Sequence, residues 1–240
     1  MILAVFAHPD DELFAGALLA ERAGAGEDVV VVVATGGESG RSSLASDRPL
    51  SQVRASELCA SCEALGLGPP IVLDLPDGQL SGRAAELEAS LASMIEDRGP
   101  DVIVTTGADG VYGHLDHIAV TRAVDAVAGC DVLHTAFPAG LFDPVRAALR
   151  RVPGLALAPG GSGVSPTNDG VGPGVPGAAP DRPLGIGRES ADLVVDVAPH
   201  LDRKREAIAS HRSQLRDGVF LSRPITEHIL AVEWYVRRAT

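Results

Sequence analysis

Short, almost unbroken apolar runs rich in β-branched residues alternate along this 240-residue chain with longer helical patterns. Runs at residues 2–6, 29–34, 71–73, 102–105, 132–135 and 193–197 read as strands, and stretches at 11–23, 51–65, 83–98 and 117–128 read as helices. Strand and helix in repeated succession require crossover connections, so the expected fold is α/β: a Rossmann-like, mostly parallel sheet flanked by helices. The continuous apolarity of the strands fits, because a strand covered on both faces has no wet side to keep polar. Glycines close the helical stretches, and Gly99-Pro100 stops the third one sharply. Further helices are expected at 144–151, 199–215 and 225–238. In such a sheet the ligand site lies just beyond the carboxyl ends of the strands.

One stretch breaks the rhythm. From Ala158 to Gly187, nine Gly and six Pro fill half of thirty positions, a composition that cannot form a core element. The expected organisation is a single domain over 1–240, interrupted at 158–187 by a flexible loop that is either a passive insertion or a lid. A 45% hydrophobic and 22% charged composition excludes a disordered chain. The net charge of −12 is uneven, with 19 acids against 6 bases in residues 1–120, so nucleic acid is not an expected partner. Apolar runs reach only seven residues, far short of the ~20 of a membrane helix, and the first residues lack a signal-peptide pattern. No membrane span and a cytoplasmic location are expected; the oligomeric state stays open, a homo-oligomer included. Three cysteines fit a reducing compartment. Cys59-Ala60-Ser61-Cys62 has C-x-x-C spacing but no second pair, and inside a helical pattern it reads as buried small residues.

The residues after the first and fourth strands carry the chemistry. Ala7-His8-Pro9-Asp10-Asp11-Glu12 places one imidazole and three carboxylates within five positions at a strand-to-helix turn. Such a cluster is costly unless a cation neutralises it; the alternative is that Asp10 or Asp11 caps the helix, with Glu12 favourable in its first turn. After the fourth strand, Tyr112-Gly113-His114-Leu115-Asp116-His117 supplies two histidines and an aspartate. Two histidines and one carboxylate make a catalytic zinc set that leaves a position open, and the sequence offers His8, Asp11 and one of His114 or His117. The remaining His and Asp would then serve proton transfer and transition-state stabilisation.

These two motifs together resemble the PIG-L/LmbE-like family of zinc-dependent de-N-acetylases, which act on N-acetylglucosamine groups. Thr35-Gly36-Gly37-Glu38-Ser39-Gly40, Arg54-Ala55-Ser56-Glu57, Leu75-Pro76-Asp77-Gly78, and Lys204 through His211-Arg212-Ser213-Gln214 are similar to the family as well. The resemblance implies that His8, Asp11 and His117 bind Zn2+ or another divalent metal, with Asp10 as general base. It implies that His114, oriented by Asp116, and Tyr112 stabilise the oxyanion, and that Arg54 and Asp77 contact sugar hydroxyls, with Glu38 a further candidate at the substrate. Leu115 stands where the family usually has Pro, a change compatible with a helix start. The implied substrate is a small-molecule N-acylated amino sugar, hydrolysed to a free amine and a carboxylate. Two alternatives remain open: an amidase cleaving a larger amide at the same sugar amine, and a non-catalytic Rossmann-like metal- or ligand-binding module.

Overall fold

The computed structural model describes residues 1–42, 44–141, 185–214 and 231–238. Seven strands form one sheet in the order β3-β2-β1-β4-β5-β7-β6: β1 (Ile2–Phe6), β2 (Val29–Thr35), β3 (Ile71–Leu75), β4 (Val102–Thr105), β5 (Asp131–Ala136), β6 (Leu193–Val195) and β7 (Glu233–Arg237). The first five are parallel, and β7 runs antiparallel between β5 and β6. Because β1 leads outward through β2 to β3 while β4 leads the other way to β5, the order reverses between β1 and β4. That reversal opens a crevice at their carboxyl ends.

Both faces of the sheet are covered, as the apolar runs require. Ile2, Ala4 and Phe6 pack with Leu18 and Leu19 of α1 (Gly16–Gly24) and with Leu58 and Cys62 of α2 (Leu50–Leu65). Leu3 and Val5 point the other way, toward Leu87 and Leu91 of α3 (Ala84–Arg98). Val120 and Val124 of α5 (Leu115–Val127) join that second layer, after the single turn α4 (Gly110–Gly113). The last described helix, α6 (Leu201–Ser210), lies along α2. No described helix is long and apolar enough to cross a membrane.

Three expectations change. The stretch at 225–238 is expected to be helical, yet its described part contains β7, where Glu233 and Tyr235 are buried and Arg237 is exposed. Inward-outward alternation through Trp234-Tyr235-Val236 and pairing with two strands outweigh the weaker local helix preference. The helix expected at 11–23 opens as a 3-10 turn, Asp11–Ala15, before α1. Cys62 is buried as expected but Cys59 is exposed, because the two sit on opposite sides of the boundary between the core face and the wet face of α2. The expected helix at 144–151 and nearly all of the Gly/Pro-rich stretch lie outside the described residues.

Candidate metal centre and active site

Strand β1 delivers His8 to the crevice, and the turn after β4 delivers His114 and His117 beside it. The His8 ring centroid is 4.8 Å from His114 and 5.2 Å from His117, and His114 stacks on His117 at 4.7 Å. Asp11 folds back over the turn, its Oδ2 accepting the His8 backbone N–H at 2.9 Å. The same carboxylate bridges the histidines, with Oδ2 3.3 Å from His8 Nδ1 and Oδ1 3.2 Å from His117 Nε2.

The opposite nitrogens face other oxygens. His8 Nε2 lies 3.0 Å from Asp77 Oδ1 and 3.4 Å from Asp116 Oδ2, and His117 Nδ1 lies 3.2 Å from the Gly110 carbonyl. A histidine that ligates a metal through one nitrogen and donates from the other has this arrangement. Among the described residues, His8, His114 and His117, and separately His8, Asp77 and Asp116, each bring ligand atoms within 4.8 Å of one another.

The electrostatics also suit a cation. Burial alone would lower the His8 pKa, but hydrogen bonds to Asp11, Asp116 and Asp77 hold it well above the ordinary range. Burial would raise Asp11, yet His117 and His8 hold it well below the usual carboxylate range. The carboxylates therefore draw positive charge onto the His8 imidazole, a role a divalent ion would fill with His8 neutral. Buried carboxylates and histidines in this number fit the donor set of zinc.

Asp10 stands at the rim, its side chain 33% exposed and its Oδ2 3.1 Å from Arg54 Nη2. Desolvation pushes its carboxyl up to about 6; Arg54 opposes that shift and Asp11 adds to it. Arg54 is buried, donating to the Gly37 carbonyl at 2.9 Å and to the Pro9 carbonyl. It therefore ties the turn bearing Asp10 to the loop after β2. Gly37 is required there: its φ is +66° and an added Cβ would lie 2.1 Å from Arg54 Nη1. Gly37→Ala is expected to lower stability by ~1–3 kcal/mol and to reduce kcat together with it, as read by chemical denaturation and steady-state kinetics.

His114 Nδ1 accepts the backbone N–H of Asp116 at 3.2 Å, which leaves Nε2 as the donor. Burial, then the positive charges of His8 and His117, lowers His114 to about 4, so it is a neutral hydrogen-bond donor near neutral pH. Asp116 orients His114 through its peptide group, not its side chain. Its carboxylate instead accepts Gly78 N–H at 2.6 Å and Leu80 N–H at 3.1 Å, fixing the loop that carries Asp77. Asp77 faces His8 and accepts the Ser39 N–H at 2.9 Å, so its oxygens are engaged inside the site. Glu38 is exposed and accepts the Asp77 N–H at 2.8 Å, which makes it a brace for that loop. The Tyr112 side chain lies outside what the structure describes. Helix α5 starts at Leu115, the first-turn position where Pro is favoured, so Leu there leaves the turn intact.

Sequence reasoning missed a set of buried partners from distant segments. Glu12, fully buried, meets Ser61 of α2 and His211 beyond α6; Glu57 accepts from Ser213; Glu233 meets Lys204. The signal for them was the stretch from Lys204 to Gln214, already similar to the family, since Lys204, His211 and Ser213 all lie in it.

Fold and site together define a class: an open α/β sheet whose switch-point crevice holds a buried His/carboxylate cluster suited to a divalent cation. The chain belongs to the PIG-L family, described as GlcNAc-PI de-N-acetylase, whose profile matches residues 3–128. Enzymes of this family are metal-dependent deacetylases. A relative from Rhodococcus jostii, named 1D-myo-inositol 2-acetamido-2-deoxy-alpha-D-glucopyranoside deacetylase, is 32% identical, with 98% of this chain and 90% of the relative covered. Among solved structures, the N,N'-diacetylchitobiose deacetylase from Pyrococcus horikoshii is similar with a TM-score of 0.64 at 20% identity, covering 99% of this chain and 83% of that one. A 4-carboxy-2-hydroxymuconate hydratase from Pseudomonas putida KT2440 is also similar, at a TM-score of 0.60 and 16% identity, covering 100% and 97%. The fold thus serves an enzyme named for a different reaction, and the chemistry must be argued from the site.

Proposed function

We propose that this deacetylase uses zinc and removes the N-acetyl group of a small-molecule glucosaminide, giving a free sugar amine and acetate. The observation that carries the reading is Asp11 bridging His8 and His117, with the ionisable Asp10 carboxylate next to it. Relatives at about 30% identity that are named for a 2-acetamido-2-deoxyglucopyranoside of inositol support an amino-sugar glycoside as substrate.

His8, Asp11 and His117 would hold the ion. Bound there, it would supply Lewis acidity toward the amide carbonyl and toward water. Asp10 takes the proton as water adds to the carbonyl carbon; desolvation raises its carboxyl and a bound cation would lower it, so it is ionised at neutral pH and available as a base. His114, neutral, donates from Nε2 to the carbonyl oxygen as negative charge develops on it. Asp10 then returns its proton to the sugar nitrogen, the C–N bond breaks, and acetate leaves. Asp77, Asp116 and the Gly110 carbonyl hold the rings of His8 and His117 throughout.

Metal analysis coupled to amine release tests the reading. Purified protein should hold about one zinc per chain and release amine from an N-acetylglucosaminyl inositol faster than from a thiol conjugate acylated at the same nitrogen. His8→Ala and His117→Ala should each lose the metal, whereas Cys59→Ser should retain it. A full metal complement in either His variant would overturn the ligand set.

A further inference from the structure

Asp10 has a backbone conformation that few non-glycine residues adopt, with φ 105° and ψ −17°. Such a residue persists only where its surroundings over-determine it. Its own peptide N–H is donated to Glu12 Oε2 at 2.9 Å. The other oxygen of Glu12 accepts the Ser61 hydroxyl at 2.5 Å and faces His211 Nε2 at 2.6 Å. Glu12, Ser61 and His211 are all buried, and His211 arrives from the end of α6, about two hundred residues along the chain.

We infer that Glu12 and His211 are positioning residues for Asp10: Glu12 fixes the strained peptide that aims the carboxylate, and His211 fixes Glu12. The inference rests on the reading of Asp10 as the base. Two donors on one Glu12 oxygen leave the second oxygen free to face Asp10 N–H alone, so the side chain has one orientation available. A neighbouring contact of the same segment supplies a control. Ser213 donates its N–H and hydroxyl to Glu57 at 2.7 and 2.6 Å, anchoring the segment to α2 without touching Asp10.

The test compares Glu12→Gln, His211→Gln, the double variant, Ser213→Ala and Asp10→Asn in the full metal-loaded chain. Readouts are kcat and KM for N-acetylglucosaminyl inositol, metal per chain, Tm, and the visible spectrum of the cobalt-substituted protein. Glu12→Gln and His211→Gln should each lower kcat about tenfold with KM within about twofold, because a misdirected base costs rate and not ground-state binding. Metal content and the cobalt spectrum should match the parent, and the double variant should be no slower than the worse single one. Ser213→Ala should lower Tm and keep kcat. Unchanged kcat in His211→Gln, or a kcat loss matched by loss of metal or by an equal loss in Ser213→Ala, would overturn the inference. If Glu12→Gln does not fold, His211→Leu, which removes a single donor at Glu12 Oε1 and is read by the same kcat, metal and Tm measurements, decides alone. Asp10→Asn separates the two readings: parental kcat there means that the base is misassigned, whereas collapse there with normal Glu12→Gln and His211→Gln defeats only the positioning role.

Discussion

Asp10→Asn is expected to lower kcat for amide hydrolysis by roughly 10²–10⁴-fold while the zinc complement stays at the parent level. Asn keeps the size of the side chain and a polar contact for Arg54, so the turn survives, but it cannot take a proton from water. The pH profile carries the same information. Desolvation raises Asp10 to about 6 in the metal-free site, and a bound cation favours the carboxylate, moving that value down. The base form is present above its pKa, so kcat/KM should fall tenfold per pH unit below a midpoint at or under about 6. That acid limb should be missing from the residual activity of Asp10→Asn. The stability sign is opposite to that of an acid whose pKa is lowered on folding, because desolvation outweighs Arg54 here: a raised pKa penalises the folded state as pH rises through it. Metal-free Asp10→Asn should therefore gain stability on the metal-free parent from acid toward neutral pH. A variant hydrolysing as fast as the parent would remove Asp10 from the mechanism.

Lys204→Met is expected to destabilise the protein by about 3–5 kcal/mol, the usual effect of stripping one partner from a fully buried ion pair. Lys204 and Glu233 are both completely buried, and Lys204 Nζ donates to Glu233 Oε1. Glu233 also accepts Ala17 N–H at 2.7 Å, Leu18 N–H at 2.9 Å and the Tyr235 hydroxyl at 2.9 Å. A carboxylate from β7 thereby caps the first turn of α1, which follows directly on the turn bearing Asp10 and Asp11. Burial, with Glu233 adding, lifts the Tyr235 hydroxyl well above its ordinary pKa, so it remains a donor. Without Lys204 the buried charge of Glu233 lacks its countercharge. Adding Glu233→Gln to Lys204→Met should restore part of the loss in urea denaturation, and additive losses would show that the two residues act independently.

The two halves of the site differ in how far the sequence revealed them. The sequence singled out His8, Asp10, Asp11, His114 and His117 because they follow apolar runs, and the structure brings them together at the strand ends. The structure sets the carboxylates of Asp77 and Asp116 against His8 Nε2, a contact that sequence spacing cannot show because the three residues lie on separate segments. Glu12 read as a first-turn acid, since nothing local to it announces Ser61 or His211. Glu233 lay in a stretch read as helix.

By itself the sequence determined the parallel core, β1 to β5 with α1, α2, α3 and α5, because local hydrophobic periodicity and glycine punctuation act over a few residues and survive without tertiary context. It also determined that His and Asp side chains gather at the crevice, since residues at strand ends need only the order of strands to converge. Only the tertiary structure decided that Glu233–Arg237 is a strand, that Asp10 takes a left-handed backbone, and that Lys204 and His211 brace the turn that carries it. The physical reason is that a buried charge is tolerated only opposite its partner, and those partners lie some thirty and two hundred residues apart, where no local pattern connects them.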